Sequence, residues 1–110
     1  MERGARMNAT TRAQRQRRKG WRAPVNSIYC GRGSRYGNPF RVAEYGRDEA
    51  LWRFGIWFNL KSAAEQRAIL DALDGHTLLC WCKPNEACHV DTYIRLIEER
   101  KRFRGFEVQP

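Results

Sequence analysis

The sequence lacks any apolar stretch close to the roughly 20 consecutive residues that a membrane-spanning helix needs. Its first 22 residues contain almost no large apolar side chain, so they lack the apolar run of a secretory signal peptide. We therefore expect a cytoplasmic protein with no membrane partner. Without a secretory signal, the four cysteines predict reduced thiols or metal ligands and not a disulfide framework.

Acidic residues are also scarce at the start of the chain. Glu2 is the only acid in residues 1–22, beside eight arginines and lysines, so this segment carries +7 of the formal net charge of +9. So polar a segment is not expected to fold alone. We predict a flexible basic arm over 1–22 that makes non-specific contacts with DNA or RNA phosphates. A solubilising tail is the alternative interpretation.

The remainder predicts one small α/β domain over residues 23–104, with a C-terminal tail at 105–110. The elements follow the order strand, glycine-rich loop, helix, helix, strand, helix, at 25–30, 31–40, 48–60, 62–73, 77–82 and from 90 onward. Helices between the two strands imply parallel pairing with a right-handed crossover. The predicted fold is a short parallel sheet with about three helices, preceded by the disordered arm.

Three of the four cysteines lie in the short run from His76 to His89. Side chains two apart on a strand share a face, so Cys80 and Cys82 are expected to project together. Asn85 as an N-cap would place Cys88 in the first turn of the last helix, where the helix dipole lowers the pKa of a thiol.

This stretch predicts a site for thiol chemistry. One of the three cysteines would supply a thiolate, His89 a general acid or base, and Asp91 would orient that imidazole. Lys83 would lower a thiol pKa or contact phosphate. The candidate catalytic residues are Cys80, Cys82, Cys88, His89 and Asp91.

The glycine-rich loop predicts anion binding. Glycines let the backbone approach a ligand closely, turned N–H groups form anion-binding concavities, and arginines suit phosphate or carboxylate. The alternative is a tight connection that needs glycine only for its turns. The candidate ligand-binding residues are Gly31, Arg32, Gly33, Ser34, Arg35, Gly37, Asn38 and Lys83.

A metal site is a further hypothesis for the same cysteines. Cys80, Cys82, Cys88 and His89 form a possible Cys₃His set for zinc, with Cys30 as a substitute ligand. However, the C-x-C-x5-C-H spacing departs from the usual C-x2–4-C pairs, and the H-x-E and P-C-x-x-C elements of zinc deaminases are absent. Zinc is therefore a possible cofactor only, and burial of the cysteines as small core residues is the other alternative.

Gly37-Asn38-Pro39-Phe40, Cys80-Trp81-Cys82 and Cys88-His89 together resemble the motifs of a family of phage and bacterial proteins described as domain of unknown function 4326. The resemblance covers about 26–96. It implies that the two loops belong to one site, and a phage-encoded member would lie in the cytoplasm of its bacterial host. It implies no reaction.

These observations predict one anion-binding, thiol-containing pocket. The function we expect is that of an enzyme acting on a nucleotide, nucleoside or nucleic-acid base. The alternative is a zinc- or thiol-stabilised nucleic-acid-binding accessory protein of a phage, without catalysis. The sequence leaves open the reaction, the cysteine that acts and the oligomeric state.

Overall fold

The computed structural model describes residues 9–107, and the side chains of residues 9–103. This part of the chain forms three strands and four helices, in the order β1 (Thr11–Gln14), β2 (Ser27–Tyr29), α1 (Val42–Tyr45), α2 (Arg47–Asn59), α3 (Ala63–Leu73), β3 (Thr77–Cys80) and α4 (His89–Glu107). The fold is a small mixed α/β domain, as predicted.

The three strands form one parallel sheet with β3 at its centre. The strand order is β1-β3-β2, and Thr77 pairs with Thr11 on one side and with Ser27 on the other. Leu78 to Cys80 are buried, as expected for a parallel strand with neighbours on both edges. The predicted parallel pairing of β2 with β3 is confirmed.

Strand β1 corrects the prediction of a flexible arm. Thr11–Gln14 pairs with β3, and Thr10 just before it is 5% exposed and accepts a hydrogen bond from the Gly75 backbone N–H at 2.9 Å. The physical reason is that β3 has two edges whose backbone groups need partners, and β2 satisfies only one. Residues 1–8 of the predicted arm lie outside the described residues, as do 108–110 of the predicted tail.

The predicted helices are present with small shifts at their ends. Ser62 caps α3 in a capping box, because its Oγ accepts from Glu65 N at 3.1 Å and its backbone N–H lies 3.4 Å from Glu65 Oε1. Gly75, at φ 82°, follows the end of α3, as its position predicted. The four-residue helix α1 was not predicted.

Aromatic side chains hold α2 against α4. Phe54 and Phe58 of α2 and Tyr93 of α4 are almost fully buried, and the Phe54 and Tyr93 rings meet edge to face with centroids 5.3 Å apart. Burial contributes about 1.5–3 kcal/mol for each such side chain. This packing fixes the start of α4 beside the end of β3. No helix of the described part is long and apolar enough to cross a membrane.

The start of α4 differs from the prediction. The helix begins at His89, so Cys88 occupies the N-cap position and Asn85 lies in the preceding turn. Asp91 stabilises this start, since its Oδ2 accepts from the Cys88 backbone N–H at 3.2 Å. The Asp91 carboxylate, three residues after Cys88, therefore takes the N3 role of a capping box, and Asn85 is not the N-cap.

Candidate functional site

The glycine-rich loop and the cysteine-rich loop line one pocket. The cavity, called the thiol pocket below, has a volume of about 310 Å³. It lies where β2 and β3 end, the edge of a parallel sheet at which ligands commonly bind. Its lining includes Gly31, Arg32, Asn38, Phe40, Arg41, Arg47, Leu51, Cys80, Trp81, Cys82, Cys88 and His89.

Three thiols converge on this pocket. The Sγ atoms of Cys80, Cys82 and Cys88 all lie within 4.8 Å of one another. Cys80 and Cys88 are 1% and 3% exposed, whereas Cys82 is half-buried. Cys82 is therefore the thiol of this cluster that a ligand in the pocket reaches most easily.

The two buried thiols, Cys80 and Cys88, share a hydrogen bond that shifts their pKa values in opposite directions. A hydrogen bond from Cys88, helped by the backbone N–H of Cys82 and the charge of Arg12, lowers the pKa of Cys80 to about 6 against the opposing effect of burial. Donation of that hydrogen bond and burial together raise the pKa of Cys88. Of these two thiols, Cys80 loses its proton more readily, and Cys88 keeps its proton and donates the hydrogen bond.

Arg12, which the sequence analysis missed as a site residue, crosses from β1 to the cysteine-rich loop. Its guanidinium donates to Asp91 Oδ2 at 2.8 Å, to the Lys83 carbonyl at 2.6 Å and to the Glu86 carbonyl at 2.8 Å. Its side chain is only 13% exposed. No local sequence pattern distinguishes it from its basic neighbours, because its partners lie far along the chain.

Arg47 is the second site residue that was missed. Its Nη1 donates to the Ala87 carbonyl at 2.8 Å and lies 3.7 Å from Cys82 Sγ, and its Nη2 lies 3.5 Å from Glu86 Oε2. A signal was present in the sequence. Arg47 opens α2, where a positive charge opposes the helix dipole and therefore suggests another role.

His89 joins α4 to the glycine-rich loop at two points, just before its start and near its middle. Its Nε2 lies 2.7 Å from the Cys30 carbonyl and 3.1 Å from the Tyr36 carbonyl. Because carbonyl oxygens only accept, Nε2 carries the proton. Burial lowers the pKa of His89, which favours the neutral imidazole, and the free lone pair on Nδ1 then faces Cys88 Sγ at 3.7 Å.

The motifs of the two loops thus line one pocket, and the family match covers both motifs. Residues 13–99 match the family described as Domain of unknown function (DUF4326). This chain belongs to DUF4326. The match begins within β1, so the family domain includes part of the segment predicted as an arm. Comparisons with curated proteins and with solved structures returned no match.

In this DUF4326 chain, Asp91 does not contact the His89 imidazole that it was predicted to orient. Its carboxylate accepts from Arg12 and from the Cys88 backbone N–H. Both nitrogens of the His89 ring have other neighbours among the described residues. Asp91 therefore orients the start of α4 and Arg12, and it makes no hydrogen bond to the imidazole.

The predicted anion-binding residues divide among three places. Gly31, Arg32 and Asn38 line the thiol pocket, whereas Lys83 lies outside it in an exposed turn. A separate cavity is lined by Gly33, Ser34, Arg35 and Gly37. The Asn38 side chain is occupied by structure, since its Nδ2 donates to the Ala50 carbonyl at 3.1 Å and its Oδ1 accepts from Phe40 N at 2.9 Å.

The glycine-rich loop folds back on itself. The Gly31 carbonyl accepts from Ser34 N at 3.1 Å and from Ser34 Oγ at 2.7 Å, and Gly37 N donates to the Ser34 carbonyl at 3.1 Å. A Cβ at Gly37 would lie 2.6 Å from the Gly31 carbonyl oxygen. Glycine is therefore required at 37 by the turn itself, whatever the loop binds.

The three clustered thiols could bind a metal ion. They are three of the four ligands that the sequence predicted. Cys80, Cys82 and Cys88 are close enough to hold one ion. His89 does not belong to this group: its Nε2 is bound to two carbonyls, and its Nδ1 faces Cys88 but is not among the ligand atoms that all lie within 4.8 Å of one another. Cys30, the predicted substitute, lies apart in the core, where burial raises its pKa to about 12.

Proposed function

We propose that the protein is an enzyme acting on a nucleotide, nucleoside or nucleic-acid base, with Cys82 as the nucleophile. The observation that carries this proposal is the position of Cys82. It is the half-buried thiol of a three-thiol cluster, and it opens into a pocket of about 310 Å³. A nucleophile must reach its substrate, which the nearly inaccessible Cys80 and Cys88 do less readily.

The surroundings of Cys82 include a positively charged group. Arg47 places a guanidinium N–H 3.7 Å from the sulfur, and this guanidinium is held in turn by the Ala87 carbonyl. Cys80 and Cys88 line the same pocket, and Cys88 donates a hydrogen bond to Cys80.

The proposed step is attack of Cys82 Sγ on an electrophilic carbon of the substrate. A sulfur electron pair forms the new bond, and the electron pair of the broken bond leaves with the departing group, which takes a proton from water. The resulting hydroxide then displaces the thiolate from the adduct. The net reaction is hydrolysis, and it uses water as its only co-reactant.

The pocket lining supports an anionic substrate. Arg32, Arg41 and Arg47 line it, and no aspartate or glutamate does. Guanidinium groups match phosphate oxygens in geometry as well as in charge. A nucleotide supplies such a phosphate together with electrophilic carbons in its sugar and base.

The test is turnover of a panel of nucleosides and nucleoside mono-, di- and triphosphates, followed by mass spectrometry of the products. We expect Cys82→Ser to abolish turnover of the substrate that wild type converts. Cys30→Ala is the matched control, because Cys30 lines neither pocket nor cluster, and this variant should retain turnover if it folds. Circular dichroism of each variant establishes folding.

Chemical labelling provides an independent readout. Limiting iodoacetamide should modify Cys82 before the other three cysteines, and the converted nucleotide should slow this labelling. Failure of wild type to convert any member of the panel, or equal turnover in wild type and Cys82→Ser, would contradict the proposal.

A second candidate is a zinc-stabilised nucleic-acid-binding protein. Two observations favour it. Cys80, Cys82 and Cys88 supply three sulfurs to one point, which with a fourth ligand from the pocket would complete a tetrahedral zinc site. In addition, Arg15 and Arg17 lie over the Trp81 ring, at 5.3 and 4.3 Å from its centroid, and form a basic and aromatic surface suited to single-stranded nucleic acid.

Elemental mass spectrometry of untagged protein, purified under reducing conditions without chelator, tests this candidate. About one zinc per chain, lost in Cys80→Ser together with the fold, would support it. Binding to a fluorescent single-stranded oligonucleotide should weaken steeply with salt and fall in an Arg15→Gln, Arg17→Gln double variant. Metal-free protein that stays folded would exclude a structural zinc.

A further inference from the structure

A second cavity adjoins the thiol pocket. It has a volume of about 390 Å³ and shares Arg32, Asn38 and Arg41 with the thiol pocket. Its remaining lining comprises Gly33, Ser34, Arg35, Gly37, Pro39 and Trp57. The two cavities are therefore neighbours with a common wall of two arginines and an asparagine.

The charge of this region is one-sided. Arg32, Arg35, Arg41 and Arg47 line the two cavities, and neither lining contains an aspartate or a glutamate. Within residues 9–103, the side chains of Arg32, Arg35 and Arg41 form no ion pair and donate no hydrogen bond, whereas Arg12 and Arg47 do both. Three guanidinium groups gathered without a carboxylate favour a polyanionic ligand over a single charge.

The loop that carries two of these arginines is held in place before any ligand binds. His89 Nε2 donates to the Cys30 carbonyl just before the loop, and the Tyr93 hydroxyl donates to the Tyr36 carbonyl near its middle, at 2.9 Å. Between these two points, the turns at Gly31 and Ser34 close the backbone on itself. Binding therefore needs to order only the guanidinium side chains, which lowers its entropic cost.

From this geometry we propose that the substrate carries a diphosphate group, as a nucleoside diphosphate or triphosphate does, and that the second cavity holds its outer phosphate. The inference rests on the proposed function for the thiol pocket. Arg47 contacts the phosphate nearer the thiols, and Arg35 contacts the outer phosphate. Arg32 and Arg41, on the common wall, contact both. A monophosphate would leave Arg35 without a partner.

Isothermal titration calorimetry of the full chain, with inorganic phosphate and pyrophosphate as probes, tests the proposal. We expect pyrophosphate to bind at least about tenfold more tightly, which is the size of effect that one added charge-assisted hydrogen bond produces. Arg35→Gln should weaken pyrophosphate binding about tenfold and leave phosphate binding unchanged. It should also leave the rate of Cys82 alkylation unchanged, since Arg35 does not line the thiol pocket.

Arg67→Gln is the matched control. Arg67 is exposed on α3, lines neither cavity and carries the same charge, so its loss tests the general effect of net charge. Equal affinity for the two probes, or the same loss in Arg35→Gln and Arg67→Gln, would overturn the proposal. So would tighter binding of a thymidine dinucleotide than of pyrophosphate, because its phosphate is a single diester.

The two proposals fail separately. A pyrophosphate preference that depends on Arg35, combined with full turnover in Cys82→Ser, would retain the diphosphate site and reject the catalytic thiol. Loss of turnover in Cys82→Ser without any pyrophosphate preference would retain the thiol and reject the diphosphate.

Discussion

The Arg12 guanidinium of β1 donates to the Asp91 carboxylate of α4 at 2.8 Å, and the same carboxylate accepts from the Cys88 backbone N–H at 3.2 Å. One aspartate therefore joins the N-terminal strand to the residue at which α4 starts. Two further hydrogen bonds from Arg12, to the Lys83 and Glu86 carbonyls, hold the turn between Cys82 and Cys88. The thiol cluster is thus built on a contact between the first and last elements of the domain.

Arg12→Ala should destabilise the protein by about 2 kcal/mol, because it removes charge-assisted hydrogen bonds and leaves two loop carbonyls without this donor. Urea denaturation followed by circular dichroism measures this change. Arg67→Ala, at an exposed position on α3, should cost no more than about 0.5 kcal/mol. An equal decrease in the free energy of unfolding in the two variants would show that the hydrogen bonds of Arg12 do not stabilise the fold.

The stability should fall as the pH drops below about 6.5, the pKa of an unperturbed histidine. Burial lowers the pKa of folded His89, so the unfolded chain binds a proton that the folded chain resists. The His89 contribution to stability is therefore complete above the unfolded pKa and decreases below it, by at most about 1.4 kcal/mol per pH unit for one proton. Denaturation curves between pH 8 and pH 5 measure this dependence.

The two histidines can be distinguished by substitution. His76→Gln should retain the loss of stability below pH 6.5, since it leaves the buried imidazole in place. His89→Gln should be less stable at pH 8 and should show a weaker pH dependence. A pH dependence that disappears in His76→Gln and persists in His89→Gln would contradict the assignment.

Gly37→Ala should destabilise the loop and weaken phosphate binding. The added Cβ would lie 2.6 Å from the Gly31 carbonyl oxygen, a backbone atom that cannot move without opening both turns. Gly55→Ala is the matched substitution, because a Cβ at Gly55 within α2 meets nothing within 4 Å. That variant should gain about 0.5–1 kcal/mol from higher helix propensity and bind phosphate as wild type does. Thermal denaturation and calorimetry of the pair check both statements.

Tyr93→Phe should loosen the glycine-rich loop with only a small loss of overall stability. The variant keeps the buried ring, which packs edge to face on Phe54, and loses the hydroxyl that donates to the Tyr36 carbonyl. His89 still donates to that carbonyl, so we expect a cost of about 1 kcal/mol. Amide exchange should become faster at loop residues such as Ser34. Unchanged exchange would show that His89 alone holds the loop.

The sequence by itself determined the elements whose signals are local. Apolar spacing located α4, and acidic residues before an apolar run located α2. Ser62 and Glu65 marked the start of α3, and the apolar run ending at Cys82 marked β3. These predictions succeed because helix capping and side-chain periodicity depend on residues only a few positions apart. The prediction that both loops share one pocket succeeded for a related reason, since parallel strands end at the same edge of a sheet.

Only the tertiary structure decided the remaining features. Residues 11–14 show no strand pattern of their own, and they pair because β3 offers an open edge. Arg12 reaches partners 71 to 79 positions away, which no local pattern records. Neighbouring Cys88 and His89 look equivalent as ligands in the sequence, yet two carbonyls of the distant glycine-rich loop turn Nε2 of the imidazole away from the thiols. These features depend on where distant segments meet, and it is packing of the whole chain that brings those segments together.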